Sequence, residues 1–183
     1  MNKTSLQVDQ KPILILDDFL SDSDLLKVRL LAKTFPLIRG GSSHADGRTL
    51  HYVGNGDLKI LQELPVARKL ADYLGSEFPA MAFTCERIIY REIVYGDHLE
   101  YHTDANQEGI FTAILYLNEQ WKPEDRGETL FLGANDIGVN VLPRPGRILF
   151  FDGRISHSTN APSRLYFDSR KILVFNFHGK TKE

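Results

Sequence analysis

From Ala82 onward the chain is a succession of short apolar or alternating runs separated by turn residues. They are Phe83–Val94, Leu99–Thr103, Ile110–Leu117, Thr129–Leu132, Val139–Leu142, Arg147–Phe151 and Lys171–Phe177. Runs this short, at this spacing, predict an all-β sandwich or barrel. Upstream the texture differs. Ile13–Leu16 reads as a short buried strand, and Ser21 heads Ser-Asp-Ser-Asp, a helix N-cap with acidic residues in the first turn. Leu25, Leu26, Leu30 and Leu31 follow at helical spacing, and this helix should stop near Pro36. A second helix is expected over residues 58–78, with Pro65 resetting it to a new first turn. Between the two helices, residues 39–57 are rich in Gly, Ser, Asn and Asp and read as a long surface loop around a short strand at 49–53. Helices followed by a β core make the expected fold mainly β within the α+β class. It is a jelly roll (double-stranded β-helix) with the two N-terminal helices packed on one face.

With 183 residues and neither an internal repeat nor a linker, one domain over 1–183 is expected. Residues 1–81 would form its helical and loop support and residues 82–179 its core. The formal charge of −2 gives no electrostatic reason to expect nucleic acid or an anionic membrane as partner. The first eleven residues are polar, no apolar run is long enough to span a bilayer, and the single cysteine, Cys85, cannot form an internal disulfide. A cytoplasmic location is the expectation, with Cys85 a small buried apolar side chain.

Within the strand-rich half, Tyr-His102-Thr-Asp104 and Ile-Ser-His157-Ser carry the chemistry. Two imidazoles and one carboxylate are the facial ligand set that holds non-haem Fe(II) with positions left open. Residues i and i+2 of an extended strand share a face, so His102 and Asp104 can grip one metal. A third ligand must come from a distant strand, and His157 is placed to supply it. A lone His-x-Asp occurs by chance in many chains; its neighbourhood decides.

That neighbourhood resembles the Fe(II)- and 2-oxoglutarate-dependent dioxygenases, specifically their prolyl 4-hydroxylase-like branch, over roughly residues 82–179. Gly96-Asp-His-Leu99-Glu-Tyr-His102-Thr-Asp104 is similar to the family's Gly-x-x-Leu-x-x-His-x-Asp strand, and Phe111 to Asn118 to its next long strand with a Tyr-Leu-Asn ending. Arg126-Gly127-Glu128-Thr129-Leu-Phe131 resembles the Gly-Gly-x-Thr-x-Phe turn, with Arg in place of the first Gly. Pro143 to Phe151 resembles the Pro-x-x-Gly-x-x-x-x-Phe segment before the distal His, and Tyr116 to Trp121 looks like the hypoxia-sensing prolyl hydroxylases. The segment between His157 and Arg170 is longer than is usual for the branch.

The resemblance implies a hydroxylase that couples oxidation of a C–H bond to conversion of 2-oxoglutarate and O2 into succinate and CO2. His102, Asp104 and His157 would be the metal and catalytic residues, Fe(II) the metal, 2-oxoglutarate the cosubstrate and ascorbate a candidate reductant. The distal carboxylate of 2-oxoglutarate needs a buried cation, a role suited to the bidentate guanidinium of Arg. Register with the family's last strand favours Arg170 over Lys171, its outward neighbour, and over Arg164, with Tyr116 joining the same carboxylate. The family's upstream cosubstrate Tyr maps to Tyr90 or Tyr95. Asp104 as a ligand favours hydroxylation over halogenation. A peptidyl-proline substrate leads; a free amino acid or other small metabolite is the alternative. A non-catalytic, zinc-holding cupin-like protein is the rival of another class, and a cupin ligand set would recruit His98 or Glu100, here read as rim residues. His44 and His51 are expected to be solvent-exposed in the 39–57 loop, which with Arg48 and Tyr52 would cover the substrate as a lid.

Overall fold

The computed structural model describes residues 1–41, 50–55, 64–97 and 99–182. Its described part is mostly β, with antiparallel strands in two sheets and two α-helices. The larger sheet has the order β1-β2-β10-β7-β12-β5-β4-β3 and the smaller β6-β11-β8-β9. In chain order the strands of the larger sheet are β1 (Asn2–Val8), β2 (Lys11–Asp17), β3 (Ile38–Gly41), β4 (Leu50–Asn55), β5 (Met81–Ile93), β7 (Ile110–Tyr116), β10 (Ile148–Asp152) and β12 (Arg170–Thr181). Those of the smaller are β6 (Leu99–His102), β8 (Thr129–Leu132), β9 (Gly138–Val141) and β11 (Ser156–Thr159).

The central strands of the larger sheet are apolar on consecutive residues because both of their faces are covered. On β7, Phe111, Ala113 and Leu115 enter one core while Ile114 and Tyr116 enter another; on β10, Ile148 and Phe150 separate from Leu149 and Phe151 in the same way. The first core lies under the helices α1 (Asp22–Ala32) and α2 (Pro65–Glu77). The second lies between the sheets, where Ile114, Phe151, Ile172 and Val174 meet Phe131, Val141 and Ile155. The expected arrangement of two helices on one face is therefore present, and the opposite face is free to build a site.

Helix α1 begins at the Ser21 cap, whose hydroxyl accepts from the Asp24 N–H at 3.2 Å. Its buried stripe is Leu25, Val28 and Ala32; Leu26 and Leu30 face solvent instead. The four leucines were the obvious apolar face, yet the stripe that docks is the one at i, i+3, i+7. Helix α2 has Pro65 in its first turn and buries Val66, Ala67, Leu70 and Leu74. The part of the expected helix before residue 64 lies outside the described residues.

Two segments differ from expectation. The polar N-terminus is an edge strand, β1, paired with β2 from Asn2↔Asp17 to Val8↔Lys11 around Asp9-Gln10. Both turn residues have positive φ (48° and 64°), the geometry that joins two strands through two residues without splaying them. In the segment read from residue 39 as a loop around a short strand at 49–53, that strand is present as β4, hydrogen-bonded to β5. Residues 38–41 add an unexpected strand, β3, paired with it, while residues 42–49 lie outside the described residues. The segment's polar composition suits a sheet edge, which is why it read as a loop. Of the residues named for the lid, Arg48 lies outside the described residues, as His44 does, and Tyr52 sits on β4 with the Arg39 guanidinium 4.7 Å from its ring centroid. No described helix is long and apolar enough to cross a membrane.

Candidate active site

The smaller sheet pairs β6 with β11 so that His102 and His157 are direct cross-strand partners, with ring centroids 4.4 Å apart. Residues opposite each other on antiparallel strands have side chains in contact, so this register alone brings together two imidazoles from distant parts of the chain. Strand β6 ends at His102, so alternation does not by itself place Asp104. The turn does: the N–H groups of Asp104 and Ala105 both donate to the Gly153 carbonyl, at 2.9 and 3.1 Å. Gly153 in turn donates to the Ile110 carbonyl at 2.9 Å, and a Cβ there would lie 3.0 Å from that oxygen, a tighter contact than side chains usually make. Asp104 Oδ1 is 3.8 Å from His102 Nε2 and Oδ2 is 3.6 Å from His157 Nε2. The three potential ligand atoms all lie within 4.8 Å of one another, the one such group among the described residues.

Supporting contacts orient all three. The Nδ1 positions of His102 and His157 are 2.9 and 3.0 Å from the carbonyls of Glu100 and Ile155. A carbonyl can only accept, so Nδ1 carries the proton and Nε2 keeps its lone pair for a metal. The Thr112 hydroxyl of β7 donates to Asp104 Oδ2 and in turn accepts from Asn176 Nδ2 of β12 at 3.2 Å. This chain leaves Oδ1 open. Burial holds the His157 imidazole below its ordinary pKa, with the Asp104 carboxylate opposing that shift.

Beyond the metal-type cluster, Arg170 is fully buried at the start of β12. Its Nε donates to the Gly127 carbonyl at 2.8 Å and one terminal nitrogen to Thr129 Oγ1 at 2.9 Å. The other terminal nitrogen, Nη1, is sealed from solvent and has no hydrogen-bond partner among the described residues. Tyr116 bonds the same Thr129 hydroxyl at 2.8 Å, and its ring faces the guanidinium at 5.0 Å. A sealed cationic N–H without an acceptor is costly, and a carboxylate is the acceptor that best matches its charge and shape. Gly127 has φ +73°, and a Cβ there would lie 2.9 Å from Trp121 Cζ2. The donor set and this cradle thus fit a divalent metal and a carboxylate ligand. Lys171 points away and pairs with Asp168, while Arg164 is exposed.

The upstream tyrosines are not brought to this side. Tyr90 packs in the helix-side core and donates to Glu92 at 2.6 Å, lining a separate hollow of about 550 Å³ with Arg29 and Asn118. Tyr95 is 63 % exposed. Alternation explains the correction: Ile89 and Arg91 face the site, so Tyr90 between them must face the helices. Glu100 is not among the residues lining the His–Asp cavity, and His98 lies outside the described residues.

The cavity at His102, Asp104 and His157 holds about 290 Å³, with Leu99, Ile114, Ile172 and Val174 as an apolar wall. Arg91 and His51 also line the cavity, and neither was expected at the site. The expectation that His51 faces solvent is overturned: it is 2 % exposed. The strand β4 on which it sits joins the larger sheet and turns the ring inward. Burial, followed by the charge of nearby Arg91, pushes the His51 imidazole from 6.5 down to about 4. Both buried histidines therefore stay neutral in the fold while their unfolded counterparts take up protons below about pH 6.5. The unfolded state then binds more protons, so the metal-free protein should lose stability steadily as pH falls from about 6.5 toward 4. Thermal unfolding of EDTA-treated protein across that range checks this, and a midpoint indifferent to pH would contradict it.

Residues 89–178 match the family model described as the 2OG-Fe(II) oxygenase superfamily. No curated protein matches the chain. Among solved structures it is similar to an oxidoreductase of the 2OG-Fe(II) oxygenase family from Burkholderia pseudomallei (16% identity, 91% of this chain and 84% of that one, TM-score 0.75). It is also similar to a prolyl-4-hydroxylase from Pseudomonas putida (14% identity, 93% and 92%, TM-score 0.63). A third likeness is to SnoN, a non-heme alpha ketoglutarate dependent epimerase from nogalamycin biosynthesis (14% identity, 93% and 81%, TM-score 0.71). At these identities the structural likenesses establish the fold, and the family match covers the strands that carry the cluster. Residues 89–178, just under half of the chain, thus carry the match to the 2OG-Fe(II) oxygenase superfamily, whose members are 2-oxoglutarate-dependent Fe(II) enzymes.

Proposed function

We propose that this protein is a jelly-roll hydroxylase in which His102, Asp104 and His157 hold Fe(II) and Arg170 with Tyr116 holds the distal carboxylate of 2-oxoglutarate. The observation that carries the reading is the convergence of the three donor atoms within 4.8 Å, each oriented by its own backbone or hydroxyl partner. Bound together, the metal and the keto acid supply the oxidising power: 2-oxoglutarate, O2 and a substrate C–H give succinate, CO2 and a C–OH.

The chain's own residues do the rest. Thr112 and Asn176 fix the Asp104 carboxylate so that Oδ1 faces the metal position. The buried guanidinium of Arg170 neutralises the far end of the keto acid, and the Tyr116–Thr129 pair keeps that guanidinium in place. Leu99, Ile114, Ile172 and Val174 exclude water from the space between. A metal carrier without catalysis would have no use for a sealed cation on the same inter-sheet side. Ascorbate is the candidate reductant for metal oxidised in unproductive cycles.

For the substrate, a prolyl residue of a peptide is the class suggested by the branch that the motifs resemble. One fold hosts many substrates, however. The compact cavity and its polar residues Arg91 and His51 favour a second reading, a free amino acid or another small metabolite. The test is anaerobic addition of Fe(II) and 2-oxoglutarate to the purified chain. A visible metal-to-ligand charge-transfer band should appear only with both present, followed in air by succinate release that prolyl peptides or free amino acids stimulate. Absence of the band, with tight zinc binding instead, would overturn the proposal.

A further inference from the structure

His51 and Arg91 stand on neighbouring strands, β4 and β5, and turn toward the same cavity as the metal-type cluster. Val53 is the register partner of Arg91, and His51 lies two residues along β4, on the same face. Neither side chain has a hydrogen bond or ion pair among the described residues. Both ring nitrogens of His51 and the Nε of Arg91 are sealed from solvent without a partner. Buried polar atoms are rarely left unsatisfied, because each has given up its hydration without gaining a partner. Two such residues side by side mark a place built for something else to occupy.

We infer that Arg91 and His51 form the primary-substrate subsite, and that it receives the carboxylate of a compact amino or hydroxy acid. This rests on the reading given under Proposed function and names its substrate class. Charge supports it. On that reading the metal, Asp104, Arg170 and the two carboxylates of 2-oxoglutarate cancel among themselves, which leaves Arg91 without a counter-charge. The other charged residues lining the cavity, Glu86 and Arg87, are exposed at its mouth, and Glu86 lies 3.2 Å from His178 Nδ1. A guanidinium next to a low-dielectric wall selects a carboxylate, which it can bind bidentately. A neutral imidazole adds one donor and one acceptor. The donor suits the carboxylate, and the acceptor suits an ammonium or hydroxyl on the same small molecule. An internal prolyl residue of a peptide carries neither group.

The experiment uses the full chain loaded with Mn(II), followed by thermal unfolding and calorimetric titration. The probes are 2-oxoglutarate first, then free L-amino acids and L-2-hydroxy acids, each beside its amide. The expected result has four parts. 2-Oxoglutarate raises the midpoint of both wild type and Arg91→Gln. With 2-oxoglutarate bound, at least one free acid raises the wild-type midpoint further while its amide does not. Arg91→Gln weakens that acid by roughly 10–100-fold, and Arg91→Lys recovers part of the loss. The inference is overturned if acids and amides bind alike, if no acid binds, or if Arg91→Gln keeps wild-type affinity for the acid. It is equally overturned if Arg91→Gln loses the response to 2-oxoglutarate, since the carboxylate at Arg91 would then be the cosubstrate's. If 2-oxoglutarate leaves wild type unmoved, the underlying oxygenase reading falls with it, and that outcome is distinct from the others.

Discussion

Asp104→Ala is expected to abolish succinate formation and to weaken metal binding by more than about 100-fold. The scale follows from comparison: disturbing a residue that merely supports a metal ligand costs about 10–100-fold in affinity or activity. Thr112→Val, which would leave Asp104 in place but unanchored, belongs in that lower range. Asp104→Ala removes the ligand oxygen itself and the carboxylate charge that lies beside both imidazoles. Asp104→Asn is the informative intermediate, because it keeps the shape and one oxygen while losing the charge. Metal titration followed by calorimetry, together with succinate release, separates the three variants. If Asp104→Ala bound metal as wild type does, the ligand assignment would be wrong, whatever the activity showed.

Arg170→Met should raise the 2-oxoglutarate concentration needed for half-maximal turnover by on the order of 10²–10⁴-fold while metal affinity stays near wild type. Leaving a buried carboxylate without its cation costs about 3–5 kcal/mol, and each 1.36 kcal/mol is worth about tenfold. The stability of the protein without 2-oxoglutarate should change far less. Methionine fills much of the same space, and replacing a buried guanidinium whose Nη1 has no acceptor offsets the lost bonds to Gly127 and Thr129. The change in unfolding free energy should stay below about 2 kcal/mol, and addition of 2-oxoglutarate should no longer raise the midpoint. A variant with an unchanged 2-oxoglutarate requirement would remove the cosubstrate pocket from this end of the cavity.

Much of this arrangement was legible in the residues. The runs after Ala82 correspond to β5–β10 and β12: β7 and β10, covered on both faces, are apolar at successive positions, while β8 of the smaller sheet alternates. Strand β11 is absent from those apolar runs, since Ser156–Thr159 is polar and its side chains serve the site rather than a core; only the ligand role of His157 pointed to a strand there. The choice between Arg170 and Lys171 also followed from alternation, and the structure buries the first while the second pairs with Asp168. The same rule applied to β5 would have turned Tyr90 away and Arg91 inward.

What the sequence determined by itself is local and periodic: strand runs, the Ser21 cap, the family motifs and the residue types of the donor set. Those follow from side-chain spacing along a single element, which can be read without knowing its neighbours. Only the tertiary structure decided which strands lie side by side. The pairing of β6 with β11 brings His102 against His157, and the bond from Asp104 to Gly153 turns the carboxylate toward them. The addition of β4 to the edge of β5 buries His51 beside Arg91. Register between distant strands is set by the packing of whole sheets, and no window of sequence contains it.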